Sequence, residues 1–282
     1  MRFKNKIVIV TGAGAGIGAA TALRFCEEGA FVVCNSVSNS AKAVTEQLTQ
    51  KGFKSIFIQG DIADPETASH IINKTLEQFG RLDILINNAG IVLGGTIDNT
   101  SLADFHRTLD VNVIGTFLMS QKAVEVMKKQ GKGTIVNVSS VAASKGHINR
   151  LAYSASKGAV TAMTRSMALE LCHDNIRVNC VSPGTTLTPS LESRIAHSPD
   201  PEEAQKQFCA RQPSYPPNGW HKAAYIHKNR GKDQASHEKE RDQAQQDAAA
   251  SYQKLQYPGV DACCCGVKDK FCYLKDPRYS AF

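Results

Sequence analysis

No apolar run in these 282 residues is long enough to cross a membrane. Residues 1–6 pass straight into the first strand-like segment, without the charged-then-apolar pattern of a secretory leader. Both absences point to a soluble, cytoplasmic chain. A concentrated basic stripe is also lacking. Lys and Arg number 33 against 26 Asp and Glu, and the formal net charge of +7 is spread along the chain. That pattern gives nucleic-acid binding little support and suits an anionic cofactor or substrate equally well. No internal repeat of fixed period is present, which excludes a solenoid. No Cys-x-x-Cys pair occurs among the nine cysteines. Cys26, Cys34, Cys172, Cys180 and Cys209 are scattered in apolar contexts, as buried free thiols of a reducing compartment are. Cys263, Cys264 and Cys265 are adjacent and, with Cys272, cannot easily all reach one ion tetrahedrally, so no metal is expected.

What the chain does contain is alternation. Strand-like runs fall at 6–10, 30–34, 55–59, 82–87, 133–138 and 177–182, and helix-like segments at 16–28, 40–51, 65–79, 102–130 and 153–173. Strands separated by crossovers of ten or more residues, several of them continuously apolar, predict a parallel sheet covered on both faces.

The first crossover carries a distinctive turn. After the β-branched run ending at Val10 comes Thr11-Gly12-Ala13-Gly14-Ala15-Gly16-Ile17-Gly18, and then a segment of helical composition. Gly12 permits a tight turn, while Gly16 and Gly18 let backbone approach a pyrophosphate and let the helix pack close. The free N–H groups and positive end of that helix would receive phosphates.

A second constellation lies downstream. Tyr153 and Lys157 are spaced i, i+4 and so share a helix face, and Ser140 ends an apolar run thirteen residues before the tyrosine. A nearby ammonium favours phenolate over phenol, whose ordinary pKa is about 10. Such a phenol can take a proton from an alcohol or give one to a carbonyl. Ser140 would hold the substrate oxygen by hydrogen bond.

Together with Asp61, the run Asn87-Asn88-Ala89-Gly90, Asn112 and Pro183-Gly184, these residues resemble the short-chain dehydrogenase/reductase family in order and spacing, from about residue 4 to Pro213. The resemblance implies an α/β, Rossmann-like doubly wound parallel sheet with helices on both faces. It implies an enzyme transferring a hydride between a nicotinamide cofactor, NAD or NADP, and a secondary alcohol or ketone. Tyr153 would be the acid/base, Lys157 would assist it and bind the nicotinamide ribose, Ser140 would orient the reacting oxygen, and Asn112 would hold a water linking Lys157 to solvent. Asp61 and Ile62 would flank the adenine, and Asn88, Ala89 and Gly90 would line the cofactor path with the glycine turn. Thr186 and Thr188 would reach the carboxamide and diphosphate side.

Cofactor choice turns on the end of the second strand, where the family carries an acid that accepts the ribose hydroxyls. Here the residue is Ser36. Losing the anion removes repulsion against a 2′-phosphate, although no Arg or Lys lies in residues 35–41, and the balance leans slightly to NADP. The stretch from Thr188 to Pro213 resembles the branch holding cytosolic-type 3-hydroxybutyrate and 2-keto-3-deoxy-sugar-acid dehydrogenases. By that resemblance Arg150, Arg194 and Arg211 would surround a substrate carboxylate, pointing to a small hydroxy acid or sugar acid.

From Ser214 the chain departs from the family pattern. A polar run rich in Lys, Arg, Gln, Asp and Glu stands where an apolar helix and a last strand would follow. The expectation is a dehydrogenase domain over 1–213 and an atypical, loosely packed polar segment over 214–282, with the last strand and preceding helix replaced. The family's usual homo-oligomer is then doubtful, and a nucleotide-binding protein with little turnover is the alternative to an enzyme.

Overall fold

The computed structural model of the chain describes residues 1–210, with side chains through Phe208. Six parallel strands form one sheet: β1 (Ile7–Val10), β2 (Phe31–Ser36), β3 (Ser55–Gln59), β4 (Ile84–Asn87), β5 (Gly133–Val138) and β6 (Ile176–Val181). Their order is β3-β2-β1-β4-β5-β6. The chain therefore winds one way from β1 through β3 and then returns to start the other way at β4. Between β1 and β4 the crossovers diverge, and such a switch point opens a crevice at the carboxyl ends of the strands.

Helices cover both faces. They are α1 (Gly16–Glu27), α2 (Ser40–Gln50), α3 (Pro65–Phe79), α4 (Leu102–Leu109), α5 (Gly115–Gln130) and α6 (Leu151–Glu170). Two shorter helices follow β6: α7 (Pro189–Ala196) and α8 (Pro201–Ala210). Strand side chains alternate between two cores, as a period of two requires. Val8 and Val10 of β1 pack with Ala22, Val32, Leu48 and Ile86 on one face. Ile9 packs with Ile71, Leu85, Met119 and Ile135 on the other. Two-face burial is why β1 and β4 read as unbroken apolar runs, whereas the edge strand β6 alternates, with Arg177 and Asn179 exposed.

Element ends follow local chemistry. Asp64 accepts the Glu66 N–H at 3.0 Å and Pro65 opens α3, which Gly80 closes in the left-handed region at φ 70°. Ser101 accepts the Asp104 N–H at 3.0 Å to start α4. All six expected strands are present, with ends shifted by no more than two residues. The helix expected over 102–130 runs its full length but is not uniform. A π-turn over Asp110–Ile114 separates α4 from α5 and carries Asn112 at its centre. A wider turn of this kind re-aims side chains and is common at functional positions. Helices α7 and α8 were not foreseen, and the replaced segment from residue 214 lies outside the described residues.

Among the described cysteines, Cys26 and Cys34 are buried, and burial pushes their thiols up to about 12 and about 11. Cys172 is exposed, which corrects the expectation of burial there. Its position after α6, in a short turn, places it beyond the face that α6 presents to the sheet.

Asp83, just before β4, joins the N-terminus to the sheet. Its carboxylate accepts the Ile7 N–H at 3.0 Å, pairs with Lys6 at 3.4 Å and bonds Arg81. Burial alone would raise its pKa, but the Ile7 N–H, Arg81 and Lys6 outweigh it and hold the carboxyl below its usual range. A depressed carboxylate contributes stability above its unfolded pKa and loses it as pH falls through the folded value. Asp83→Asn is therefore expected to destabilise the fold by roughly 1–3 kcal/mol at neutral pH. Urea unfolding should show that cost shrinking in acid; a cost independent of pH would contradict the assignment.

Candidate active site

The crevice at the switch point is a cavity of about 370 Å³. Its floor is the turn after β1. Gly12 sits at φ +62°, and a Cβ there would come 2.7 Å from Ala89 Cα, so this turn lies backbone against backbone on the loop after β4. Hydrogen bonds lock the two together. Thr11 Oγ1 accepts the N–H groups of Asn88 and Ala89, each at 3.0 Å, and Asn88 Nδ2 donates to the carbonyls of Thr11 and Gly12 at 2.9 and 3.1 Å. Asn88, Ala89 and Gly90 accordingly form cavity wall.

Gly16, Ile17 and Gly18 begin α1 at the same opening. The residue before that helix is Ala15, which has no side-chain oxygen to cap its first N–H groups, so they are free for an anion. Across from it, Pro183, Gly184, Thr186 and Thr188 line the cavity, and the Thr188 methyl would lie 3.0 Å from a Cβ at Gly16 (φ +55°). Bare amide groups, close backbone approach and an elongated crevice fit a dinucleotide's diphosphate.

Not every expected cofactor residue lines this cavity. Gly14 packs on Ser40, where a Cβ would fall 2.0 Å from its hydroxyl. Ser36 is buried, donates to the Ser38 carbonyl at 2.6 Å and accepts the Ala41 N–H at 3.0 Å. Its proton is committed within the turn, leaving Ser38 and Ser40 as the exposed hydroxyls at the start of α2. Asp61 accepts the Ala63 N–H at 3.0 Å and pairs with Arg107 of α4 at 2.9 Å. Ile62 is core, packed where Gly115 leaves room. These residues lie farther along the same carboxyl edge, after β2 and β3.

The chemistry-bearing residues converge on α6. Tyr153 and Lys157 both face the cavity, with Lys157 Nζ 5.8 Å from the centroid of the Tyr153 ring. Only 5% of Lys157 is exposed. Its ammonium donates to the Val138 carbonyl at 2.7 Å, and burial brings its pKa down to about 8. The Ser139 hydroxyl donates to the Lys157 carbonyl at 3.1 Å, tying α6 to the end of β5. Ser140, also in the wall, accepts the Ala142 N–H at 3.1 Å, which leaves its hydroxyl proton free to donate into the cavity. The Tyr153 hydroxyl makes no hydrogen bond to the described residues.

Asn112 is fully buried and acts as a strut. It accepts the Ile91 N–H at 2.8 Å and donates to the Ile91 carbonyl at 3.0 Å and to Ser156 Oγ at 2.9 Å. Ser156 in turn donates to the Tyr153 carbonyl at 2.7 Å. Both amide protons of Asn112 thus join the loop after β4 to the turn of α6 that carries Tyr153.

Arg150 and Arg194 line the cavity too, from the turn before α6 and from α7. Asn149, at φ +60°, reverses the chain so that Arg150 faces inward. Backbone bonds Gly95 N–H to Asn149 and Leu151 N–H to Gly95 fix that turn. Arg211 lies outside the described residues. Among the lining residues that the sequence did not single out are His147, whose lone imidazole had no signal, and Phe208, separated from Arg194 by a proline-broken loop that hides any periodicity. Among the described residues, the ionisable wall groups are His147, Arg150, Tyr153, Lys157 and Arg194, with no Asp or Glu. No helix among the described residues is long and apolar enough to cross a membrane, and no cluster there could hold a metal.

Comparison with known proteins agrees with this geometry. The short chain dehydrogenase family model matches residues 6–198. An uncharacterised oxidoreductase of Thermotoga maritima is 49% identical over 76% of this chain and 84% of its own length. Dehydrogenase/reductase SDR family member 6 of Xenopus laevis is 41% identical over 75% of this chain and 83% of its own. Among solved structures, a candidate NAD(P) dependent gluconate 5-dehydrogenase from Beutenbergia cavernae with bound NADP superposes with a TM-score of 0.71 at 30% identity, covering 79% of this chain and 87% of that one. Fold order, glycine turn and family match converge: the chain is an oxidoreductase of the short-chain dehydrogenase/reductase family.

Proposed function

We propose that this chain moves a hydride between a nicotinamide dinucleotide and a secondary alcohol or ketone, with Tyr153 handling the proton. The observation that carries this reading is the pairing of Tyr153 with a buried Lys157 in a cavity that the glycine turn also lines. When bound, the dinucleotide supplies the hydride acceptor or donor. The residues do the rest. Ser140 donates its free hydroxyl proton to the substrate oxygen and fixes its direction. Tyr153 takes the alcohol proton in oxidation or returns it in reduction, as a positioned general base or acid. Lys157, while charged, stabilises negative charge on the tyrosine oxygen in a site where little water intervenes.

The same reading extends to ligands. The acid-free wall with Arg150 and Arg194 supports a substrate bearing a carboxylate, such as a small hydroxy acid or sugar acid. The absence of an acid at Ser36, with Ser38 and Ser40 at the start of α2, supports NADP slightly over NAD.

Two outcomes test the proton machinery. Tyr153→Phe should lower kcat by about 10²–10⁴-fold, the usual value of a positioned acid/base, while fluorescence titration shows unchanged cofactor affinity. Retained turnover would refute the assignment. Lys157→Met should also abolish turnover yet stabilise the fold. Moving a lysine from 10.5 to about 8 corresponds to roughly 2–4 kcal/mol of desolvation cost. That cost is fully present below about pH 8, where the folded and unfolded states are both charged. Between about 8 and 10.5 the unfolded state binds more protons and wild-type stability rises with pH. Thermal melts should therefore show the variant above wild type at pH 7, with the gap narrowing toward pH 10. A less stable variant at pH 7 would contradict the burial argument.

A further inference from the structure

The cavity's basic side chains are not equally restrained, and the helix pair after β6 explains how one of them is held. Arg194 projects from α7 and Phe208 from α8, and both line the cavity. The Arg194 guanidinium carbon lies 5.9 Å from the centroid of the Phe208 ring, and Arg194 Nε donates to the Ser190 carbonyl at 3.3 Å. A guanidinium so placed meets the negative face of the ring quadrupole, and its Nε is directed back along its own helix. Helix α7 is itself anchored. Thr188 accepts the Leu191 N–H at 3.3 Å, and Leu191 is buried at 2% exposure. The arginine thus stands on a fixed helix with an aromatic ring within cation–π range of its charge.

An exposed arginine otherwise samples many rotamers, and ordering it on an anion costs conformational entropy. A guanidinium already held by a cation–π contact and by its Nε bond to Ser190 has lost part of that freedom before the ligand arrives. We propose that Phe208 is a positioning residue for the substrate's anionic end: its ring holds Arg194 at the cavity wall in the orientation that receives a carboxylate. The inference rests on the proposed carboxylate-bearing substrate and assigns α8 a part in recognising it. Phe208 touches neither the reacting carbon nor the proton path, so its effect falls on binding and not on the chemical step.

Steady-state kinetics of the full-length chain, with a panel of 2- and 3-hydroxy acids and their methyl esters, tests this. The ester keeps the carbon skeleton and removes the charge. Phe208→Leu should raise KM for the acid about three- to thirty-fold, the value of one cation–π contact, with kcat unchanged and KM for the ester unmoved. Phe208→Tyr, which keeps the π face, should restore the wild-type KM. Arg194→Lys, which keeps the charge but loses the planar guanidinium, should reproduce the Phe208→Leu pattern. Unchanged KM for the acid in Phe208→Leu, equal shifts for acid and ester, or failure of the tyrosine to rescue would each overturn the proposal. A wild-type enzyme indifferent between acids and esters would instead sink the carboxylate reading itself, and the role of Phe208 with it.

Discussion

Keeping a lysine ammonium almost out of water is the constraint around which this molecule is arranged. Lys157 Nζ donates to the Val138 carbonyl at 2.7 Å, and its pKa falls to about 8 as a consequence of burial. Such a group is costly to the fold. It becomes useful only if a partner that gains from positive charge lies beside it, and Tyr153 occupies that place one helical turn earlier. In the proposed mechanism, the burial that costs the fold stability here is also what would make the pair competent to move a proton.

Everything nearby serves to keep that pair in register. Ser139 bonds the Lys157 carbonyl and Thr161, while Asn137 reaches Thr164, so α6 is pinned to β5 at three levels. Asn87 extends the polar seam by bonding Asn137 and Ser120 of α5. On the opposite side, Asn112 sits in the π-turn between α4 and α5, and from there it spans to Ile91 and Ser156. The glycine turn joins the assembly through Thr11 and Asn88. A dinucleotide resting on α1 is thereby referenced, through two loops and one strut, to the tyrosine oxygen.

Much of this was legible in the chain itself. The β-branched runs gave six strands, because two-sided burial leaves no room for polar alternation. Gly12 and Gly16 marked the turn because positive φ leaves few other choices. The Tyr153/Lys157 pair was readable because helical spacing alone puts both on one face. What escaped was whatever depends on contacts distant in sequence. The bonds that commit the Ser36 hydroxyl inside its own turn could not be read from the chain. Nor could the π-turn around Asn112, which has no signature in residue spacing. Phe208 meets Arg194 only because two proline-initiated helices fold back on each other, an arrangement that periodicity cannot reveal.

In the proposed mechanism, proton handling by Tyr153 and nucleotide binding at α1 share one cavity. A crystal structure with a nicotinamide dinucleotide bound measures it most directly. The account predicts the diphosphate at the N-terminus of α1, the nicotinamide ribose against Lys157, and a substrate analogue with its oxygen between Ser140 and Tyr153, its reacting carbon about 3–3.5 Å from the nicotinamide. A nicotinamide ring turned away from Tyr153, or a dinucleotide seated elsewhere on the sheet, would contradict it.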